Sequence, residues 1–143
     1  MPTTPAFVDT NVLLYAASTN HSEADKRDVA RRILSETPIC FSVQVAQEFF
    51  VNATRKLTPP LSRTDALTFL NQISPVTVAS LDYELFEEAT RLSERFQISY
   101  WDAAIVAAAK RLQCATLYSE DLNDGQNYDA VTVANPFAAM TKT

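Results

Sequence analysis

The chain has 143 residues, 47% hydrophobic and 20% charged, enough for one well-cored domain. Its net charge of −5 argues against a passive nucleic-acid binder, which works through a basic surface. A single glycine, Gly125, excludes Walker and GxGxxG phosphate loops, and a single histidine, His21, lies in the polar stretch 19–23 and reads as an exposed loop residue, which leaves carboxylates as the main reactive groups.

The N-terminal residues carry neither a basic region nor a secretory apolar stretch, and no apolar run reaches membrane-spanning length, so a cytosolic protein is expected. A strand-like run, Ala6–Val8, stops at Asp9, and a helix-length apolar segment starts at Val12. A helix over 22–36 follows, with Ser22 and Asp25 spaced as a capping box. Next come a strand at Ile39–Ser42 and a helix carrying Val45, Phe49, Phe50 and Ala53. Cys40 and Cys114 lack CxxC spacing and read as small core residues. Helices are expected over 62–73, 82–96 and 99–112, and strands at 76–79, 115–118 and 130–134. There are no repeats or linkers, so one domain over 1–143 is expected, its core about 6–136. Strands alternating with helices imply right-handed crossovers and a mainly parallel sheet of four to five strands covered on both faces. In such sheets the ligand site lies outside the carboxyl ends of the strands.

Four acids compete between ordinary and chemical roles. Asp9 ends the first strand and could cap the next helix. Glu48 shares a polar stripe with Gln44 and Asn52, which could be a solvated face or one turned to the cleft. Asp102 has capping-box spacing from Ser99, yet 103–109 is apolar nearly all round, as in a buried helix. Asp121 follows the fourth strand, while Asp124 belongs to the turn signal Asn123-Asp124-Gly125. Three of the four are read as following strands closely and so as sharing one sheet edge. Converging carboxylates need a cation, and oxygen ligands without histidine or thiolate select Mg²⁺ or Mn²⁺ over Zn²⁺.

The ordered set resembles the PIN-domain family, specifically the small VapC-type ribonuclease toxins of bacterial toxin–antitoxin pairs, from Phe7 to about Pro136. Asp9 and Asn11 in "VDTNVLLY" look like its opening motif, and Glu48 in "QEFF", Asp102 in "YWDAAI" and Asp121 in "YSEDL" like its later acids. Ser119 matches the small hydroxyl residue two before the last acid, and Asp124 could share or replace the part of Asp121. The resemblance implies a PIN-like three-layer α/β/α sandwich and Mg²⁺-dependent cleavage of RNA. Asp9 and Asp102 would bind the metal, Glu48 and Asp121 would act through water or a second ion, and Asn11 and Ser119 would orient ligands. Arg55, Lys56, Lys110 and Arg111 are candidate phosphate contacts or solvated charges. A VapB-like antitoxin and a homodimer are the implied partners, with the helix 103–109 and the pair Phe49-Phe50 as apolar surface for the latter. The rivals are a haloacid-dehalogenase-like phosphatase, which needs an acid where Asn11 stands, and a metal-binding interaction module without turnover.

Overall fold

The computed structural model describes residues 4–140. The elements run β1 (Ala6–Val8), α1 (Thr10–Ala17), α2 (Ala24–Glu36), β2 (Ile39–Ser42), α3 (Val43–Arg55), α4 (Arg63–Ile73) and β3 (Thr77–Ala79). Then follow α5 (Tyr83–Phe96), α6 (Tyr100–Arg111), β4 (Thr116–Tyr118), β5 (Asn127–Tyr128) and β6 (Val131–Ala134). Short polar residues start the helices, because an Asp or Ser oxygen can accept an otherwise unpaired N–H of the first turn. Ser42 caps α3, Ser62 caps α4, Asp82 caps α5 and Ser99 caps α6. The expected capping box at Ser22 does not form. Asn20 takes the Ser22 N–H at 3.0 Å, residues 21–23 make a 3-10 turn, and α2 starts at Ala24.

The sheet order is β3-β2-β1-β4-β6-β5, parallel except for β5 against β6. It has six strands rather than four or five, because the expected run 130–134 is one arm of a hairpin whose other arm is β5. The architecture is the three-layer α/β/α sandwich that the resemblance implied. On one side α1 packs on α2 and α3, and α3 on α4; on the other α6 packs on the sheet with α5 against it. The expected buried helix is α6, with Ala103 to Ala109 all buried; small side chains let it lie between the sheet and α5. Phe49 is also core and fully buried, and Phe50 is half-buried against that core. The apolar surface assigned to a second copy from sequence is therefore largely interior. Cys40 and Cys114 are free and buried, and burial pushes the Cys114 thiol up to about 12.

β1 lies between β2 and β4, so successive crossovers leave it in opposite directions. A crevice opens at the carboxyl end of β1, where a doubly wound sheet binds its ligands. None of the helices is long and apolar enough to cross a membrane, among the described residues.

Scarcity of glycine puts other residues in left-handed backbone. Asp129 (φ 55°) and Ala130 (φ 78°) join β5 to β6, the positive pair that a two-residue type I′ turn requires. Alanine has neither the freedom of glycine nor a side chain to hydrogen-bond locally, and left-handed geometry costs such a residue about 1–2 kcal/mol. Ala130→Gly is expected to stabilise the domain by about 0.5–1 kcal/mol after the extra unfolded-state entropy is subtracted. Chemical denaturation compares the two chains, and an unchanged or lower midpoint contradicts the strain.

Candidate active site

Asp9 leaves β1 and caps α1, yet it is only 4% exposed. Its two oxygens are held separately. Oδ1 accepts the Thr10 N–H at 2.7 Å, and Oδ2 accepts the Ser119 hydroxyl at 2.8 Å. Ser119 is fully buried just after β4, and its oxygen also accepts the Asp121 N–H at 3.2 Å. One hydroxyl thus ties the loops after two neighbouring strands. Thr10, which the sequence did not single out, donates its hydroxyl to Glu48 Oε1 at 2.8 Å and joins α1 to α3. Its signal was its place between Asp9 and Asn11.

Asp102 reaches the same place by another route. It follows α5 rather than a strand, contrary to the expectation that three of the four acids follow strands closely. Because α6 runs back to the start of β4, its own N-terminus lies at the carboxyl edge of the sheet. The Asp102 N–H donates to Ser99 Oγ at 3.1 Å, so the backbone of the turn is capped by serine and the carboxylate is not needed for that. Gln44, nearly buried, donates its amide to the Trp101 carbonyl at 3.2 Å and fixes α6 against α3.

Asp9, Asn11, Glu48, Asp102 and Asp121 line one cleft of about 200 Å³, with Gln44, Asn52 and Trp101. Both amide atoms of Asn11 are buried there, beside Asp121, whose charged form the amide favours. Asp124 is not among the lining residues; it accepts the Asn135 N–H at 2.8 Å, as the turn signal suggested. The cleft lining contains no lysine or arginine. Arg55 and Lys56 are exposed at the end of α3, beyond Asn52. Lys110 and Arg111 are about 12 and about 14 Å further along α6 than Asp102 at about 1.5 Å per residue. There Lys110 pairs with Glu88 and Asp129, and Arg111 with Asp82, beside a larger groove of about 530 Å³. Glu120, next to Asp121, is turned away and bound by Tyr15 and Lys26, each at 2.8 Å.

Burial pushes the Asp9 carboxyl up to about 6, against its two hydrogen bonds, with Asp121 and Glu48 adding to the rise. Asp121 is also raised, by burial and then by the charges of Asp102, Glu120 and Glu48. These acids therefore feel one another. They do not enclose a point: among the described residues no three acids, cysteines or histidines stand close enough to hold an ion alone.

A carboxyl raised on folding makes the native state bind protons more tightly than the unfolded one, so stability falls as pH rises from about 4 to about 6. For Asp9 the loss at neutral pH is of order 2–3 kcal/mol. In chelator, unfolding free energy is expected to be higher at pH 5 than at pH 7. Asp9→Asn should flatten that slope and gain of order 1–2 kcal/mol at pH 7, since Asn caps about as well as Asp. A wild type that weakens steadily on acidification over this window would contradict the buried charge.

The PIN domain model matches residues 6–124. Among solved structures, the chain resembles a toxin–antitoxin complex from Klebsiella pneumoniae (TM-score 0.66, 18% identity, 92% of this chain and 97% of that one). It also resembles Mycobacterium tuberculosis VapC20, a sarcin–ricin loop cleaving toxin (TM-score 0.64, 20% identity, 81% and 89%). A third is VapBC2 of Rickettsia felis bound to a promoter DNA fragment (TM-score 0.60, 14% identity, 91% and 97%). The search of curated proteins gives no match. The strand order, the cleft at the carboxyl end of β1 and the match across most of the sequence agree: this chain belongs to the PIN-domain family.

Proposed function

We propose that the protein is a metal-dependent endoribonuclease and the toxin of a toxin–antitoxin pair. The observation that carries this reading is the convergence of Asp9, Glu48, Asp102 and Asp121, from four separate segments, on one cleft at the switch point of the sheet. The relatives in fold include a sarcin–ricin loop cleaving toxin and a toxin–antitoxin complex, which supports the same class of activity here.

The donor set suits Mg²⁺, with Mn²⁺ as substitute. It is all oxygen, and Mg²⁺ commonly keeps several waters while taking one or two carboxylates, which agrees with acids that line a cleft without enclosing a point. Asp9 and Asp102 would hold the ion, and Glu48 and Asp121 would act through water or a second ion. Bound there, the cation would lower the pKa of a water and neutralise charge on the scissile phosphate. Ser119 holds Asp9 Oδ2, and Thr10 holds Glu48 Oε1, so both carboxylates are oriented by hydroxyls that are themselves fixed. The Asn11 amide brings a donor and an acceptor to the cleft, where the phosphatase rival would need an acid. The acidic cleft also suits a basic segment of an antitoxin.

The surface offered to a second copy is not the one the sequence suggested. Leu81 (49% exposed), Tyr83 (72%) and Phe86 (43%) form an apolar patch just after the edge strand β3. A homodimer through this patch is expected, and Tyr83→Asp should dissociate it in light scattering; a wild type that is monomeric at micromolar concentration excludes it.

The purified chain is expected to cleave RNA only with Mg²⁺ or Mn²⁺, and to leave p-nitrophenyl phosphate intact. Asp9→Asn and Asp102→Asn should abolish cleavage, while Ser119→Ala should cost about 10- to 100-fold, as loss of a ligand-orienting partner does. Expression alone should arrest growth, and a co-expressed antitoxin should relieve it. Cleavage that survives chelation or Asp9→Asn overturns the reading, as does phosphatase activity without RNA cleavage.

A further inference from the structure

The cleft poses an electrostatic problem for an RNA substrate. It is lined by four carboxylates and no cationic side chain. Phosphate contacts, which dominate most nucleic-acid affinity, must come from outside the cleft, as from Arg55 and Lys56 one turn beyond Asn52. Binding therefore needs a contribution that does not depend on charge. Trp101 is the lining residue able to supply it.

The residue is 65% exposed, is among those lining the cleft, and is next in sequence to Asp102. Large aromatic side chains usually bury most of their surface in a folded domain. The residue is nonetheless held rigidly. Its carbonyl accepts the amide of nearly buried Gln44 at 3.2 Å, and its ring meets Tyr100 edge-on at 5.0 Å. Tyr100 is in turn braced by Phe86 at 5.8 Å. An exposed aromatic residue with a fixed backbone and one braced ring neighbour leaves ring surface open to solvent next to the acids. Such a surface is what an unpaired base stacks on, and it accepts any base.

We infer that Trp101 is a base-stacking residue that seats an unpaired nucleotide beside the cleft lined by Asp9 and Asp102. The inference rests on the ribonuclease reading and adds to it the side chain on which that base is held. A duplex keeps its bases stacked on one another and offers no free face to the ring.

Trp101 is the sole tryptophan of the chain, so its fluorescence reports the contact directly. An eight-nucleotide unstructured RNA, titrated with chelator present to keep it intact, is expected to quench this emission saturably, and the same sequence as a duplex is not. In Mg²⁺, Trp101→Ala should raise KM by about 5- to 150-fold, the range of one lost base stack. It should leave kcat nearly unchanged, and Trp101→Phe should restore most of the loss. Equal quenching by the duplex, no quenching, or a loss in kcat alone overturns the inference. So does a ring already shielded from a soluble quencher before RNA is added, because it would then be covered by a second copy. A Trp101→Ala chain that cuts as wild type does, while Asp9→Asn is inert, removes the stacking role and leaves the ribonuclease reading standing. If the wild type cuts no RNA, that reading fails, and the fluorescence titration still decides whether the ring binds unpaired bases.

Discussion

Everything at the carboxyl edge of this sheet is arranged around one carboxylate that water barely reaches. Asp9 follows a fully buried strand, and its burial costs enough to raise its pKa toward neutrality even with a hydroxyl and a backbone N–H on its oxygens. A helix cap alone would not require this, since caps work at the surface with serine, as they do for α4 and α6. The Ser119 hydroxyl is the compensation that makes the position tolerable. It also couples the loops after β1 and β4, which lie side by side because the chain reverses its winding direction there. A buried charge and its tether thus sit in the cleft outside the carboxyl end of β1.

Packing of α6 serves the same place. A helix covered on both faces must be lined with small residues, and Ala103 to Ala109 meet that demand. The orientation of α6 is then dictated by connectivity, since its end must feed the start of β4, which brings its first turn to the cleft. Serine takes the capping duty and frees the Asp102 side chain from it, while Gln44 locks the turn to α3. Structural and chemical roles are divided among adjacent residues rather than combined in one.

Charge is partitioned along α6 in the same way. Lys110 and Arg111 are engaged by Glu88, Asp129 and Asp82 at its far end, and Lys26 is engaged by Glu120. The acids of the cleft are left without a protein counter-charge within it. In the nuclease reading this separation is purposeful: cationic side chains inside the cleft would compete with the metal for the carboxylates, and the substrate must gain affinity from elsewhere.

Much of this was legible in the sequence, because its signals are local. Strand–helix alternation, the acid placed after an apolar run, the apolar stretch of α6 and the turn at Asn123-Asp124-Gly125 each arise from a few neighbouring residues. Scarcity of glycine and histidine narrowed the chemistry to carboxylates by composition alone. The capping box at Ser22 failed because a nearer acceptor, Asn20, competed for the same N–H, which spacing alone does not reveal. The arm β5 was too short to carry a periodic signal and exists only by pairing with β6. Phe49 and the alanines of α6 read equally well as surface or core, and only the layers above and below them decided for core. The same holds for the site: sequence supplied the acids, but their common cleft, the tether of Asp9 to a serine 110 residues away, the exclusion of Asp124 and the exposure of Trp101 are decided by tertiary structure, since long-range proximity leaves no trace in local sequence.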